Sequence, residues 1–378
     1  MNYISRDRDV IYKNNDLEDL YTFYKFPVFM GCTEEDISKD ILEDMSWKIS
    51  KKSGMIQLNP LLPLKVVYSK EHGSGTVGKL WNEHHKSFAE FISKYKPKTV
   101  LEIGGLHGIL AKNYLNIDKV VDWTIIEPNP IVDKNLPIKV IEGFFDENFK
   151  LEKNFDAVVH SHVLEHVYNP EEFMKHKSSF TNEGDLLLFS VPNMKVMLEN
   201  NYNNCINFEH TVYFSSPYIE YFLAKYNFEI IEKTYFKKDH SIFYCTKKVS
   251  KNLIIPPLKG LYNKNKKTFS KYINSHLKEV QEINNIIDNT SLPVYLFGAH
   301  IFAQYLIAFG LNTKKIVKIL DNDYQKHNKR LYGTNLKVNS PKILKNKNKA
   351  IVILRAGVYN NEVKTDILKN INPNIKFI

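Results

Sequence analysis

Apolar and polar positions alternate most regularly in the middle of the chain. Residues 99–103, 123–126, 138–141, 155–160 and 185–191 are short apolar runs bounded by polar or turn residues, with amphipathic stretches between several of them. That alternation predicts buried strands joined by helices, the pattern of a doubly wound α/β domain. A helix over 77–95 leads into it, and the pair 228–235 and 241–246 reads as a hairpin supplying an antiparallel edge. Residues 1–85 show no strong period, and Phe26-Pro27-Val28-Phe29-Met30 and the Pro60/Pro63 stretch suggest a small irregular module. Pro256-Pro257 marks a boundary, after which residues 266–289 carry Phe269, Ile273, Leu277, Val280, Ile283 and Ile287 at helical spacing. Such a stripe serves equally for packing on the chain's own core or for pairing with a second copy. A second α/β unit follows, with strands at 293–299, 316–321 and 350–354 and a helix over 301–309. Its turn holds one glycine, which favours a structural unit without a cofactor.

The first unit is richer. Val100-Leu101-Glu102-Ile103-Gly104-Gly105-Leu106-His107-Gly108 carries an apolar run into a glycine-rich turn, and Thr124-Ile125-Ile126-Glu127 ends a second run on an acid. Glycines let backbone N–H groups approach a ligand closely, and an acid at that spacing accepts hydrogen bonds from ribose hydroxyls. The turn is not the dinucleotide G-x-G-x-x-G, since Leu106 and Ile109 occupy positions that would need glycine.

Composition narrows the class. In 378 residues, 43% hydrophobic and 25% charged, there is room for two or three domains with real cores. No apolar stretch approaches a membrane span, no export signal opens the chain, and three scattered cysteines form no disulfide framework. A cytoplasmic location is expected. The net charge of +10 raises the possibility of a nucleic-acid partner, but the lysines are dispersed and no stacking aromatic cluster accompanies them. The excess also suits a substrate bearing a diphosphate.

Chemistry concentrates at three strand ends. Phe155-Asp156-Ala157-Val158-Val159-His160-Ser161-His162-Val163-Leu164-Glu165-His166-Val167 delivers histidines to the edge where open α/β sheets bind ligands. His160 and His162 are placed to line a bound cofactor or the reacting centre, and Glu165 and His166 to orient the loop and cap the next helix. Ser190-Val191-Pro192-Asn193 marks another strand end, followed by Phe208-Glu209-His210-Thr211-Val212-Tyr213-Phe214-Ser215. A histidine beside a carboxylate is a simple general base near neutral pH. His210 is the expected base, with Glu209 fixing its tautomer or, on the opposite side of an extended segment, holding a substrate hydroxyl.

These segments resemble class I S-adenosylmethionine (SAM) methyltransferases, and together with Phe297-Gly298-Ala299, Leu320-Asp321-Asn322 and 353–360 they resemble bacterial sugar C-methyltransferases. The resemblance implies an N-terminal module (1–76), a SAM-binding Rossmann-like core (77–250) and a second Rossmann-like domain (251–378). It implies that Gly104, Gly105 and Gly108 line the methionine portion, with Glu102 near the sulfonium. Glu127 would hold the ribose, Phe144 and Phe145 would cover adenine, and Tyr68 with Ser74-Gly75-Thr76 and His84/His85 would close over the cofactor. Catalysis would fall to His210, Glu209 and His162. Two departures stand out. The family's paired zinc cysteines are missing from 47–58, so no metal is expected, and its Tyr-His-Glu-His reads Asn207-Phe208-Glu209-His210. Loss of that tyrosine and first histidine leans toward O-methylation of a nucleotide-linked sugar, such as a heptose or deoxyhexose of a surface polysaccharide. C-methylation of a keto sugar is the alternative, and a homodimer is a further expectation.

Overall fold

The strand ends that carry the candidate chemistry do meet at one sheet edge. In the computed structural model, which describes residues 2–69 and 78–378, seven strands form the central sheet. Their order is Phe228–Phe236, Ser241–Lys248, Leu186–Pro192, Ala157–Ser161, Thr99–Ile103, Asp122–Glu127 and Lys139–Glu142. The last five run parallel, and the hairpin adds the antiparallel edge. The chain builds outward from Thr99–Ile103 to one side and then returns to its other side with Ala157–Ser161. That reversal opens a crevice at the carboxyl ends of the two strands.

Strand alternation explains the layers. Val100 joins Trp123, Ile125 and Phe243 under the Lys79–Ser93 and Ile109–Leu115 helices, where Phe88, Ile92, Leu110 and Tyr114 are buried. Leu101 and Ile103 face the opposite layer with Phe189, Met174 of the Pro170–Phe180 helix and Phe222 of the Ser216–Lys225 helix.

The N-terminal part departs from expectation. It is not irregular: Leu17–Pro27, Leu42–Ser50 and Ile56–Leu58 form an antiparallel sheet. Bulges between Asp19 and Tyr21 and between Phe23 and Phe26 break the period-two signal that would have announced it. This sheet also supports the candidate site. Leu58 N donates to Thr211 O (2.9 Å) and Tyr213 N to Ile56 O (2.9 Å), so the segment after His210 is docked onto its edge. Arg6, buried and without an acid partner among the described residues, donates to Thr211 O at 3.0 Å and Tyr168 O at 2.8 Å. Burial brings its pKa down to about 10.

The C-terminal unit is a five-stranded parallel sheet in the order Val338–Asn339, Ile316–Leu320, Val294–Phe297, Ala350–Leu354, Ile375–Phe377. Cys32–Thr33 pairs with Arg330–Leu331, and Arg330 grips Asp40 with two bonds of 2.6 and 2.7 Å. The Leu261–Asp288 helix buries Phe269, Ile273, Val280, Ile283 and Ile287 within this same chain. All of the stripe but Leu277, which is 39% exposed, is covered within the chain, so it gives no support to a dimer. None of the described helices is long and apolar enough to cross a membrane.

Candidate active site

Thr99–Ile103 ends in a turn that only its glycines permit. Gly104 has φ +77°, and a Cβ there would lie 2.7 Å from Val163 Cγ2. Gly108, φ +63°, starts the following helix. At Gly105 space is the constraint, because a Cβ would fall 2.9 Å from both Glu102 Cδ and Ile125 Cγ2. Glu102 therefore fills the volume beneath the turn. It is 3% exposed, and Trp123 Nε1 donates to its Oε2 at 2.8 Å. Burial, with a smaller push from Glu127, raises its pKa to about 7 against the pull of the indole bond. Its carboxylate points into the helix layer with Trp123. This corrects the expectation of a group facing the sulfonium: Glu102 supports the turn from below.

Glu127, 8% exposed, ends its strand beside the turn and accepts Asn129 N at 3.0 Å. Burial raises its pKa. Gly143 N donates to Glu127 O, which brings the following residues to the same corner. Phe144 and Phe145 then part company. Phe144 is 59% exposed, whereas Phe145 packs among Phe149, Phe173, His176 and Phe180. Only Phe144 is available to cover a base, and Phe145 is core. His160 is a second correction. Wholly buried, it stacks on Phe189 (5.0 Å) with Nε2 3.0 Å from the buried Lys177 Nζ. Burial holds both groups well below their usual pKa ranges, and the pair lies inside the layer instead of at the crevice.

His162 is at the crevice, in the left-handed region at φ +53°, a strain kept where surrounding structure over-determines it. Its Nδ1 lies 3.0 Å from Glu165 Oε1 and its Nε2 2.8 Å from Ser241 Oγ. Glu165 is buried, and its carboxylate lies within 4.8 Å of ligand nitrogens of His166 and His210. His166 meets His210 edge to face at 4.8 Å, and Tyr68 Oη approaches His166 Nδ1 at 3.3 Å. The structure thus gathers Tyr68, Glu165, His166, Glu209 and His210, with His162 one residue-width away.

Local geometry explains how Glu209 and His210 diverge. The Asn207 side chain accepts both Glu209 N (2.8 Å) and His210 N (2.9 Å). His210 Nδ1 then meets Cys205 O at 3.3 Å, while Glu209 Oε2 lies 3.7 Å from His166 Nδ1. The tautomer of His210 is therefore set by a backbone carbonyl and not by Glu209. With a proton on Nδ1, Nε2 is the basic atom. Burial lowers the His210 pKa, partly offset by the Glu165 charge.

Ser74, with Gly75 and Thr76, lies outside the described residues. Sequence reasoning gave Glu165 and His166 only a loop-orienting role and passed over Asn207, His240 and Ser241. The H-x-L-E-H spacing was the available signal for the first two, since a short 3-10 turn (Leu164–His166) presents both toward the crevice. His240 and Ser241 had no local signal, because they reach the site only through sheet pairing.

Residues 80–233 match a family model described as a methyltransferase domain. No curated protein matches the chain. Solved structures similar to it include an O-methyltransferase family protein from Burkholderia thailandensis (12% identity, TM-score 0.37, 45% of this chain and 57% of that one). Another is an S-adenosylmethionine-dependent methyltransferase from Clostridium acetobutylicum (12%, TM-score 0.35, 50% and 98%). A third is a mitomycin 7-O-methyltransferase (12%, TM-score 0.37, 49% and 62%). The match thus spans little more than half the length of the Burkholderia protein. Residues 80–233 are thus similar to a methyltransferase domain, on a sheet of the class I Rossmann-like kind, and SAM is the cofactor that this similarity implies.

Proposed function

We propose that the chain methylates a hydroxyl of a nucleotide-linked sugar. The observation that carries this reading is the divergence of Glu209 and His210 from Asn207, which brings a carboxylate and a basic imidazole to His166 from two directions. SAM would supply an activated methyl group. Glu127 would hold its ribose, Phe144 its adenine, and the Gly104–Gly108 turn its methionine portion. His210 Nε2 would take the proton from the acceptor hydroxyl as its oxygen bonds to the methyl carbon and the sulfur–carbon bond breaks. Glu209 and Tyr68 would fix neighbouring sugar hydroxyls, and His162 with Glu165 would shape the floor. On this reading segments 1–76, 77–250 and 251–378 serve as an acceptor-side wall, the SAM core and a supporting domain. The basic excess supports an acceptor carrying a diphosphate and not a nucleic acid.

One observation favours a second reading. A tyrosine and a histidine, absent at 207–208, do come together elsewhere at the site, as Tyr68 and His166, 3.3 Å apart. Such a pair supports stabilising an enolate, as C-methylation of a keto sugar requires. Incubation with SAM and nucleotide sugars tests both. S-adenosylhomocysteine formed only with a hydroxyl acceptor, without exchange of acceptor α-carbon protons into deuterated water, supports O-methylation. Exchange with a keto sugar moves the assignment to carbon, and no acceptor-dependent turnover with any nucleotide sugar rejects both.

A further inference from the structure

Three segments remote in sequence converge beside the crevice: the Lys79–Ser93 helix, the turn after Ala157–Ser161 and the tip of the edge hairpin. Each contributes an imidazole. Ligand nitrogens of His84, His162 and His240 lie within 4.8 Å of one another, and Trp81 covers all three rings at 4.9–5.2 Å.

Aromatic packing alone does not account for this trio. His84 is wholly buried, yet neither of its ring nitrogens has a hydrogen-bond partner among the described residues. Leaving such a group unsatisfied is costly, so an uncompensated imidazole aimed at two others calls for an occupant. His162 supplies an independent sign. Its Nε2 side faces the cluster while Nδ1 sits 3.0 Å from the buried Glu165 carboxylate, a close contact without hydrogen-bond geometry. A carboxylate behind an imidazole is the arrangement that orients metal-ligating histidines. Ser241 Oγ lies 2.8 Å from His162 Nε2 and 2.6 Å from His240 Nδ1, an oxygen donor already inside the group.

We propose that His84, His162 and His240 bind one divalent transition-metal ion of zinc's class, with the Ser241 hydroxyl or a water completing the set. Three neutral nitrogen donors select zinc, cobalt or nickel over magnesium or calcium, which prefer oxygen. The ion staples helix, turn and hairpin together and fixes His162 next to the glycine turn. This departs from the sequence expectation of no metal, which rested on missing cysteines in a different part of the chain. It requires nothing of the sugar acceptor.

The test uses the full chain, purified without a polyhistidine tag and stripped with a chelator. Titration with Zn²⁺ by calorimetry and with Co²⁺ by visible absorption should show one equivalent bound and a rise in unfolding temperature. His240→Gln should abolish both, with the metal-free circular dichroism of the wild type retained. His84→Gln should do the same, which covers the case of one variant failing to fold. Glu165→Gln should weaken Zn²⁺ binding about 10- to 100-fold. Absence of stoichiometric binding by the wild type, or binding that survives both histidine variants, overturns the proposal. Binding lost instead in His166→Gln would assign the ion to the neighbouring Glu165–His166–His210 group and equally overturn it.

Discussion

Thr99–Ile103 and Val294–Phe297 begin two units with the same plan. Each strand runs into a glycine of positive φ (Gly104, +77°; Gly298, +100°) whose N–H bonds to the neighbouring strand, at Ile126 O and Leu320 O respectively. That bond sets the correspondence between them: Glu102 with Leu296, Gly105 with Ala299, Glu127 with Asp321. The first unit buries a carboxylate where the second has leucine, and it needs glycine where alanine suffices. The acids differ most. Asp321 accepts Ala299 N at 2.8 Å, Asp323 N at 2.9 Å and Lys326 Nζ at 3.1 Å, so its capacity is taken up by its own turn. Glu127 is held by the backbone N–H groups of Asn129 and Leu106 and pairs with no lysine or arginine among the described residues. Shared topology thus carries no shared chemistry: three positions separate the crevice proposed to take a ribose from a turn closed on itself.

The sharpest way to break this contrast is at the edge of the first sheet. His210→Ala should lower kcat about 10²- to 10⁴-fold if Nε2 takes the acceptor proton. His327→Ala, beside Asp321 in the second unit, should leave kcat unchanged. Because burial lowers the His210 pKa, the wild-type rate should climb with pH through an ionisation below the ordinary histidine range and then level. A variant that keeps both its rate and that limb would transfer the base elsewhere.

The buried acid of the first strand offers the next test. The Glu102 pKa is about 7 in the folded chain against 4.5 for the free side chain. The folded state therefore binds the proton more tightly, so stability is fully present below pH 4.5 and declines as pH rises toward 7. The full change is about 3 kcal/mol at about 1.4 kcal/mol per pKa unit. Glu102→Gln removes the ionisation while keeping an acceptor for Trp123. Urea unfolding should show the variant gaining on the wild type from pH 5 to pH 8. A gap independent of pH would mean that Glu102 stays ionised under the turn.

How far the sequence anticipated all this depends on how local each signal was. The strands of the first unit and the three central strands of the second were legible within a residue or two, because buried parallel strands read as apolar runs whatever packs on them, whereas the short edge strands Val338–Asn339 and Ile375–Phe377 were not. The glycine turn and Glu127 were legible because they lie within one βαβ unit. Phe145 and His160 were misread for a physical reason. Adjacent residues face opposite ways, and spacing alone does not say whether Phe144 or Phe145, His160 or Ser161, meets the crevice. The N-terminal sheet was hidden by its bulges. His240 and Ser241 reach His162 through a hairpin closing the sheet, a contact that no local pattern announces.

The smallest effect compares the two acids directly. With Glu127 proposed as the ribose ligand, Glu127→Ala removes an ionised acceptor for two hydroxyls. Hydrogen bonds to a charged group are worth about 1.5–3 kcal/mol each, and some of that is recovered by water in an open crevice, so SAM affinity should fall about 100-fold. Asp321→Ala should leave SAM affinity untouched. Its cost is structural, since Ala299 N and Lys326 lose their partner, and a drop of about 1–3 kcal/mol in unfolding free energy is expected. Calorimetric SAM titration and denaturant unfolding of both variants separate the outcomes. Equal losses of SAM affinity would mean that the second unit reaches the cofactor after all. An unchanged affinity in Glu127→Ala, with SAM still bound, would place the ribose away from this strand end and undo the distinction between the two turns.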